Sequence, residues 1–156
     1  MDQFDLQANR ISIEVLENVV FQNAASPMRH SVKSLAKLRC HIDLDDFGTA
    51  QNPFDSLRQL NIDRMKIDRS FVFNIDKDPK KQDMLAAVVL MAQRLNLDTI
   101  AEGIETDAER RVVQKLGCGH AQGYGIGRPM PLDQLQNWAL QYQQAPHPHT
   151  SPAKLA

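Results

Sequence analysis

Apolar and polar residues alternate from Arg10 to Leu16. Ile11, Ile13 and Val15 fall on one face and Ser12, Glu14 and Leu16 on the other, which predicts a strand carrying a carboxylate. From Ser31 to Leu38 the spacing lengthens to helical intervals at Val32, Leu35 and Leu38, and a second strand is expected over Cys40–Leu44. Asp55–Leu60 is a short helix candidate, and a third strand around Met65 and Ile67 carries Lys66 and Asp68. The widest apolar stripe, Leu85, Val88, Val89, Ala92 and Leu95, predicts a packed helix over Gln82–Leu95. Asp98–Ala101 reads as a fourth strand ending at Glu102-Gly103. Thr106 and Glu109 form a capping box for a helix to Leu116, which Gly117 closes. A short fifth strand lies near Ala121, and Leu132–Tyr142 is a last helix with Leu132, Leu135, Trp138 and Ala139 on one side.

Strand and helix thus alternate about five times, the mark of an α/β fold with a parallel sheet and crossover helices. An eight-stranded (β/α) barrel needs roughly 250 residues. At 156 residues the chain is either a part of such a barrel or a smaller open α/β fold. Residues 1–9 read as a polar lead-in, 10–144 as the domain, and the Pro/His/Ser-rich stretch 145–156 as a disordered tail.

Composition narrows the chemistry. A hydrophobic fraction of 42%, a charged fraction of 24% and a net charge of −1 suit a globular chain and give no basic excess for a nucleic-acid polymer. Cys40 and Cys118 fit no metal or redox spacing. No apolar run approaches the roughly 18 residues of a membrane span, and the N-terminus lacks a signal-peptide layout. A cytoplasmic location is expected, within a parent protein that membrane tethering would not contradict.

The adjacent carboxylates Asp45-Asp46 stand where the second strand is expected to end and a glycine turn to begin. Adjacent acids repel, and a cation between them removes the cost. In a (β/α) barrel functional residues sit at the C-terminal ends of strands. Asp45, Asp46, Lys66 or Asp68, Glu102 and Gln122 all lie at or near such ends. If the strands are parallel neighbours, Glu14, Asp45, Asp46, Lys66, Glu102, Glu105 and Gln122 converge. Oxygen ligands without His or Cys select hard cations: Mg²⁺, Mn²⁺ or Ca²⁺. Two neighbouring Asp can serve two ions about 3.5–4 Å apart, an arrangement suited to attack on phosphorus.

Several ordered motifs carry a family resemblance. Asp45-Asp46-Phe47-Gly48-Thr49, Lys66-Ile67-Asp68-Arg69-Ser70-Phe71-Val72, Ala101-Glu102-Gly103-Ile104-Glu105-Thr106, and Gln122-Gly123-Tyr124 with Arg128-Pro129 resemble EAL-domain cyclic di-GMP phosphodiesterases. Ile13-Glu14-Val15-Leu16-Glu17 is similar to that family's acidic strand, and the resemblance runs from about Arg10 to Trp138. It implies a TIM-like barrel of the EAL type, here about five β/α units of an incomplete one. It implies cleavage of cyclic di-GMP to linear pGpG with two Mg²⁺ or Mn²⁺ ions, and Ca²⁺ as an inhibitory ion. By position, Glu14, Asp45 and Asp46 would be metal ligands, Lys66 would hold the attacking water, and Glu102 would complete the metal or proton-transfer set. Glu17 would steady the loop after Asp46, and Glu105 and Gln122 would surround the ligands or touch the substrate. The resemblance further implies a homodimer and an upstream sensory or diguanylate-cyclase-like domain.

Two departures stand out. The Glu-Ala-Leu signature and an Asn-bearing strand, which supply metal ligands in the family, are not in this sequence, so an open sheet with exposed edges is expected. Ala50-Gln51-Asn52-Pro53-Phe54 also replaces a glycine-containing Tyr-Ser-Ser-like run. Plainer readings compete at single positions. Glu17 and Glu105 suit helix N-termini, Gln122 suits a turn, Asp68 and Arg69 suit a structural ion pair, and Trp138 and the helix methionines suit a core. The alternatives to an enzyme are a non-catalytic module that binds cyclic di-GMP or docks a partner, and an unrelated small α/β protein.

Overall fold

The computed structural model describes residues 7–16, 27–49, 57 and 61–144. Five strands, β1 (Ser12–Leu16), β2 (His41–Phe47), β3 (Arg64–Ile67), β4 (Asp98–Ala101) and β5 (His120–Ala121), form one sheet in sequence order, every pair parallel. The helices are α1 (Pro27–Lys37), a single turn α2 (Arg69–Val72), α3 (Pro79–Arg94), α4 (Asp107–Lys115) and α5 (Leu132–Gln144). Sequential parallel strands joined by helices are part of a (β/α) barrel.

The period of two along each strand sorts the sheet into two faces. Val15, Ile42, Leu44, Met65, Ile67 and Ala101 share one core with Val32 of α1, Leu85, Val89 and Ala92 of α3, and Val113 of α4. The alternate positions, Ser12, Glu14, Asp43, Asp45, Arg64 and Lys66, place charge on the opposite face. The helices therefore bury the apolar face, and the charged face is the barrel's inner side.

Three crossover helices end in the same way, with a residue of positive φ and paired closing hydrogen bonds. After α1 the residue is Arg39 (φ 67°), whose N–H donates to Ala36 O while Cys40 N–H donates to Leu35 O. After α3 it is Asn96 (φ 56°), and after α4 it is Gly117 (φ 84°). The chain then enters the next strand at once.

Several expectations shift. β2 runs on past Leu44 to Phe47, so Asp45 and Asp46 lie within its last three residues, at its C-terminal end. β1 starts at Ser12, after a 3-10 turn over Ala8–Arg10. α1 starts at Pro27, ahead of Ser31, and ends at Lys37. α3 starts at Pro79 because the Asp78 carboxylate accepts the Lys80 and Lys81 N–H groups and Pro79 is pre-set for a first turn. The capping box of Thr106 and Glu109 forms as read. Trp138 and Met84 are not core: Trp138 stacks on Tyr142 at 5.1 Å, and Met84 is exposed. Of Asp55–Leu60 only Leu57 is described, and it is helical. Glu17, the loop 50–54 and the tail 145–156 lie outside the described residues.

Candidate metal centre at the strand ends

Lys66 is the hub of the charged face. Its side chain is 6% exposed, and Nζ lies 2.9 Å from Glu14 Oε1, 2.8 Å from Asp45 Oδ1 and 2.9 Å from Glu102 Oε1. Four strands feed this cluster: β1, β2 and β3 hold Glu14, Asp45 and Lys66, and Glu102 directly follows β4. Glu102 is held there because its N–H continues the ladder to Ile67 O at 3.1 Å. Burial pulls the Lys66 pKa down, but hydrogen bonds to Asp45, Glu14 and Glu102 outweigh it and hold the ammonium above the ordinary lysine value. Lys66 is thus a permanent cation and a donor, unfit to act as a base. An ammonium has three N–H donors, and three carboxylates meet them.

Adjacent residues of a regular strand point to opposite faces. Asp45 and Asp46 escape this rule through a bulge. β2 and β3 are in register at Asp43–Arg64 and Leu44–Met65, and then Phe47 pairs with Ile67, so β2 holds one extra residue. Asp46 absorbs the kink with φ 58°, a left-handed conformation that Asp tolerates better than most residues. Its carbonyl accepts the Thr49 N–H at 3.2 Å and the Thr49 hydroxyl at 2.9 Å. As a result Asp45, Asp46 and Glu102 each offer an oxygen within 4.8 Å of the others.

This group fits a divalent cation on three counts. All its donors are carboxylate oxygens. Asp45 Oδ1 is buried and has no partner among the described residues besides the Lys66 ammonium 2.8 Å away, which leaves it a lone pair for a cation. The Asp46 carboxyl is pushed up by burial and then by the negative charges of Asp45 and Asp68, which the positive charge of Lys66 only partly offsets. Glu14 stands apart from this trio, tied to Lys66.

Two glycines bring the rim close. At Gly48 (φ 99°) a Cβ would come 2.6 Å from the Phe71 ring, and at Gly103 (φ 73°) one would come 2.3 Å from Arg69 Cγ. A side chain at either position would push α2 off the site. Arg69 pairs with Glu105 at 2.7 Å, not with Asp68 as the sequence suggested. Asp68 instead caps α2 by accepting the Ser70 N–H at 2.9 Å. Burial alone would raise its pKa, but the bonds from Ser70 and Arg69 hold it low. Gln122 follows β5, its N–H bonded to Ala101 O at 2.8 Å. It lines a cavity of about 390 Å³ with Tyr124, Arg128 and Trp138, where Arg128 stands 4.7 Å over the Tyr124 ring.

Sequence reasoning missed two groups. Glu109 does more than close its box: its carboxylate also accepts the N–H groups of Asn74 at 2.8 Å and Glu105 at 3.0 Å, pinning the loop after Glu102. No local signal marks the Asn74 contact. Arg64 forms a fork with Asp43, Nε to Oδ1 at 2.9 Å and Nη2 to Oδ2 at 2.7 Å, and Nη2 also donates to the Ser12 hydroxyl. The repeat of opposite charges two residues before Asp45 and Lys66 was a usable signal for that pair.

Parallel strands with a carboxylate trio and a buried ammonium at their C-terminal ends define a TIM-like barrel protein equipped for a hard cation. The chain belongs to the EAL domain family, whose model matches residues 1–129. It is 33% identical over 144 residues to the signaling protein YkoW of Bacillus subtilis, covering 90% of this chain and 18% of YkoW. It is 33% identical over 130 residues to the bifunctional diguanylate cyclase/cyclic di-GMP phosphodiesterase MucR of Pseudomonas aeruginosa, covering 83% of this chain and 19% of MucR. The MucR phosphodiesterase solved as a cyclic di-GMP complex superposes with a TM-score of 0.76 at 32% identity, covering 85% of this chain and 53% of that one. Klebsiella pneumoniae BlrP1, solved with manganese and cyclic di-GMP, gives 0.73 at 30% identity, covering 80% and 31%. The chain spans about a fifth of the length of these curated relatives. Among the described residues no helix is long and apolar enough to cross a membrane.

Proposed function

We propose that this chain carries the acidic, lysine-bearing part of a phosphodiesterase site that cleaves cyclic di-GMP to linear pGpG with Mg²⁺ or Mn²⁺. The observation that supports it best is the convergence of Asp45, Asp46 and Glu102 on one point beside the permanently charged Lys66. Asp45, Asp46 and Glu102, with Glu14 from β1, would hold the cations. Such ions lower the pKa of a bound water and neutralise charge on a phosphodiester. Lys66 keeps Glu14, Asp45 and Glu102 aimed at one point, and it is the donor placed to offer an N–H to the attacking water or phosphate. Glu102 is the acid placed to move a proton. Gln122 and Glu105 would meet the substrate. Ca²⁺, larger and satisfied by looser geometry, would occupy the site without supporting turnover. The bifunctional name of MucR supports an upstream diguanylate-cyclase-like or sensory domain in the parent protein, and the homodimer expected from the resemblance belongs to the same reading.

The test is pGpG release by this chain and by its parent protein, with Mg²⁺, Mn²⁺ or Ca²⁺. Turnover by the parent with the first two ions is expected to fall at least about a hundredfold in Lys66→Ala or Asp45→Asn. Binding of cyclic di-GMP without hydrolysis in the parent would replace this reading with that of a non-catalytic binding module.

A further inference from the structure

We propose that Arg64 and Asp43 are a positioning pair, and that their fork fixes the bulge which lets Asp45, Asp46 and Lys66 meet. The inference rests on the reading of that cluster as the functional site. One guanidinium touches all three strands that feed the Lys66 cluster from one side. It bonds Asp43 of β2 through both carboxylate oxygens and Ser12 of β1 through its hydroxyl, and it belongs to β3 itself. Each of these residues stands two positions before a member of the cluster: Ser12 before Glu14, Asp43 before Asp45, Arg64 before Lys66. The period of two puts both layers on the same face.

The fork sits at the point where register is decided. Asp43–Arg64 and Leu44–Met65 are the last regular pairs before the extra residue of β2. A slip of one residue there would turn Asp45 away from Lys66 to the apolar face. The Leu44–Met65 contact is apolar and tolerates sliding, whereas a two-bond fork has one geometry. Asp43 is 2% exposed, so water cannot solvate its charge if the fork opens. Hydrogen bonding to Asp43 also holds the Arg64 pKa above its ordinary value against the pull of burial.

The readout is the Lys66 ammonium in the cation-free full chain, observed by ¹⁵N-resolved NMR. Bonds to three carboxylates keep its protons in slow exchange. Arg64→Lys retains the charge beside Asp43 but not the fork, and it is expected to fold and to lose that signal. Asp43→Leu/Arg64→Met replaces the pair by apolar side chains of similar bulk, an exchange that often preserves stability. It is expected to keep the melting temperature and lose the signal as well. Val113→Ala, a truncation in the core on the apolar face of the sheet, is expected to lower the melting temperature and leave the signal intact. Mn²⁺ affinity, measured by EPR titration, is expected to fall about tenfold to a hundredfold in the two fork variants only. An unchanged Lys66 signal in either folded fork variant would overturn the inference. Loss of the signal in both fork variants, with a wild-type chain that shows the signal but binds no Mn²⁺, would uphold the positioning role and sink the metal reading instead.

Discussion

Lys66 and Asp46 are perturbed in the same direction with opposite consequences. Both carry a folded pKa above the unfolded value, so each contributes stability that is complete below the unfolded pKa and lost as pH rises through the folded one. For Lys66 that loss begins only beyond the ordinary lysine range, and the ammonium stabilises the fold at every neutral pH. For Asp46 the loss sets in above the ordinary carboxylate range, because burial and the charge of Asp45 disfavour its ionised form. Lys66→Met is therefore expected to cost about 3–5 kcal/mol in urea unfolding with EDTA, with Mn²⁺ restoring part of it; wild-type stability would show that the acids need no counter-ion. Asp46→Asn is expected to melt higher than wild type at pH 7 in EDTA. That gain should shrink toward pH 3 and when Mn²⁺ is added, leaving a pH-independent remainder from the ease with which Asn takes left-handed backbone. A gain identical at pH 3 and pH 7 would refute the charge argument. The Asp45-Asp46 pair was legible as a candidate cation site because adjacent acids are costly. Its geometry was not, since plain alternation would send the two side chains to opposite faces, and the bulge that prevents this depends on a partner strand many residues away.

Among the elements, helix ends show where local sequence is and is not informative. Gly117 announced its turn because glycine takes positive φ freely. Arg39 plays the same part at the end of α1 with φ 67°, and nothing in its chemistry signals it; the following strand imposes the conformation. Arg39→Gly is accordingly expected to stabilise the chain by about 0.5–1 kcal/mol, read from the urea midpoint, whereas destabilisation would mean that the Arg39 side chain matters more than its backbone. Glu109 links α4 to the loops after β3 and β4. Burial would raise its pKa, but the N–H groups of Asn74, Glu105 and Thr106 hold it low. A depressed carboxylate gives stability that is present above its unfolded pKa and lost as pH falls through the folded one. Glu109→Gln keeps the shape and removes the charge. Below about pH 4 it is expected to narrow the stability gap to wild type that it shows at pH 7, and a pH-independent gap would assign the role of Glu109 to packing alone.

For the whole molecule, alternation of strand and helix was enough to give the parallel sheet, because βα repeats leave few other arrangements; the order β1-β2-β3-β4-β5 is the structure's. The open edges were expected on other grounds, from the strands that the family resemblance implies and this sequence lacks. Among the described residues β1 pairs only with β2 and β5 only with β4, so each presents a row of unpaired N–H and C=O groups. Leu132, Leu135 and Leu140 of α5 are exposed beyond β5, and Leu16 is exposed on β1. A closed barrel has no edges, and its stability does not depend on concentration in the way that an open sheet's does. The chain by itself is therefore expected to associate at micromolar concentration, with sedimentation velocity showing species that grow with loading. Salt should not disperse them, because the contacts are backbone hydrogen bonds and leucines rather than surface charges. Leu135→Lys with Leu140→Lys, on the exposed side of α5, should shift the distribution toward monomer without lowering the melting temperature. A chain that sediments as a monomer at every concentration would mean that its edges are already covered, and the open-sheet account of its surface would fall.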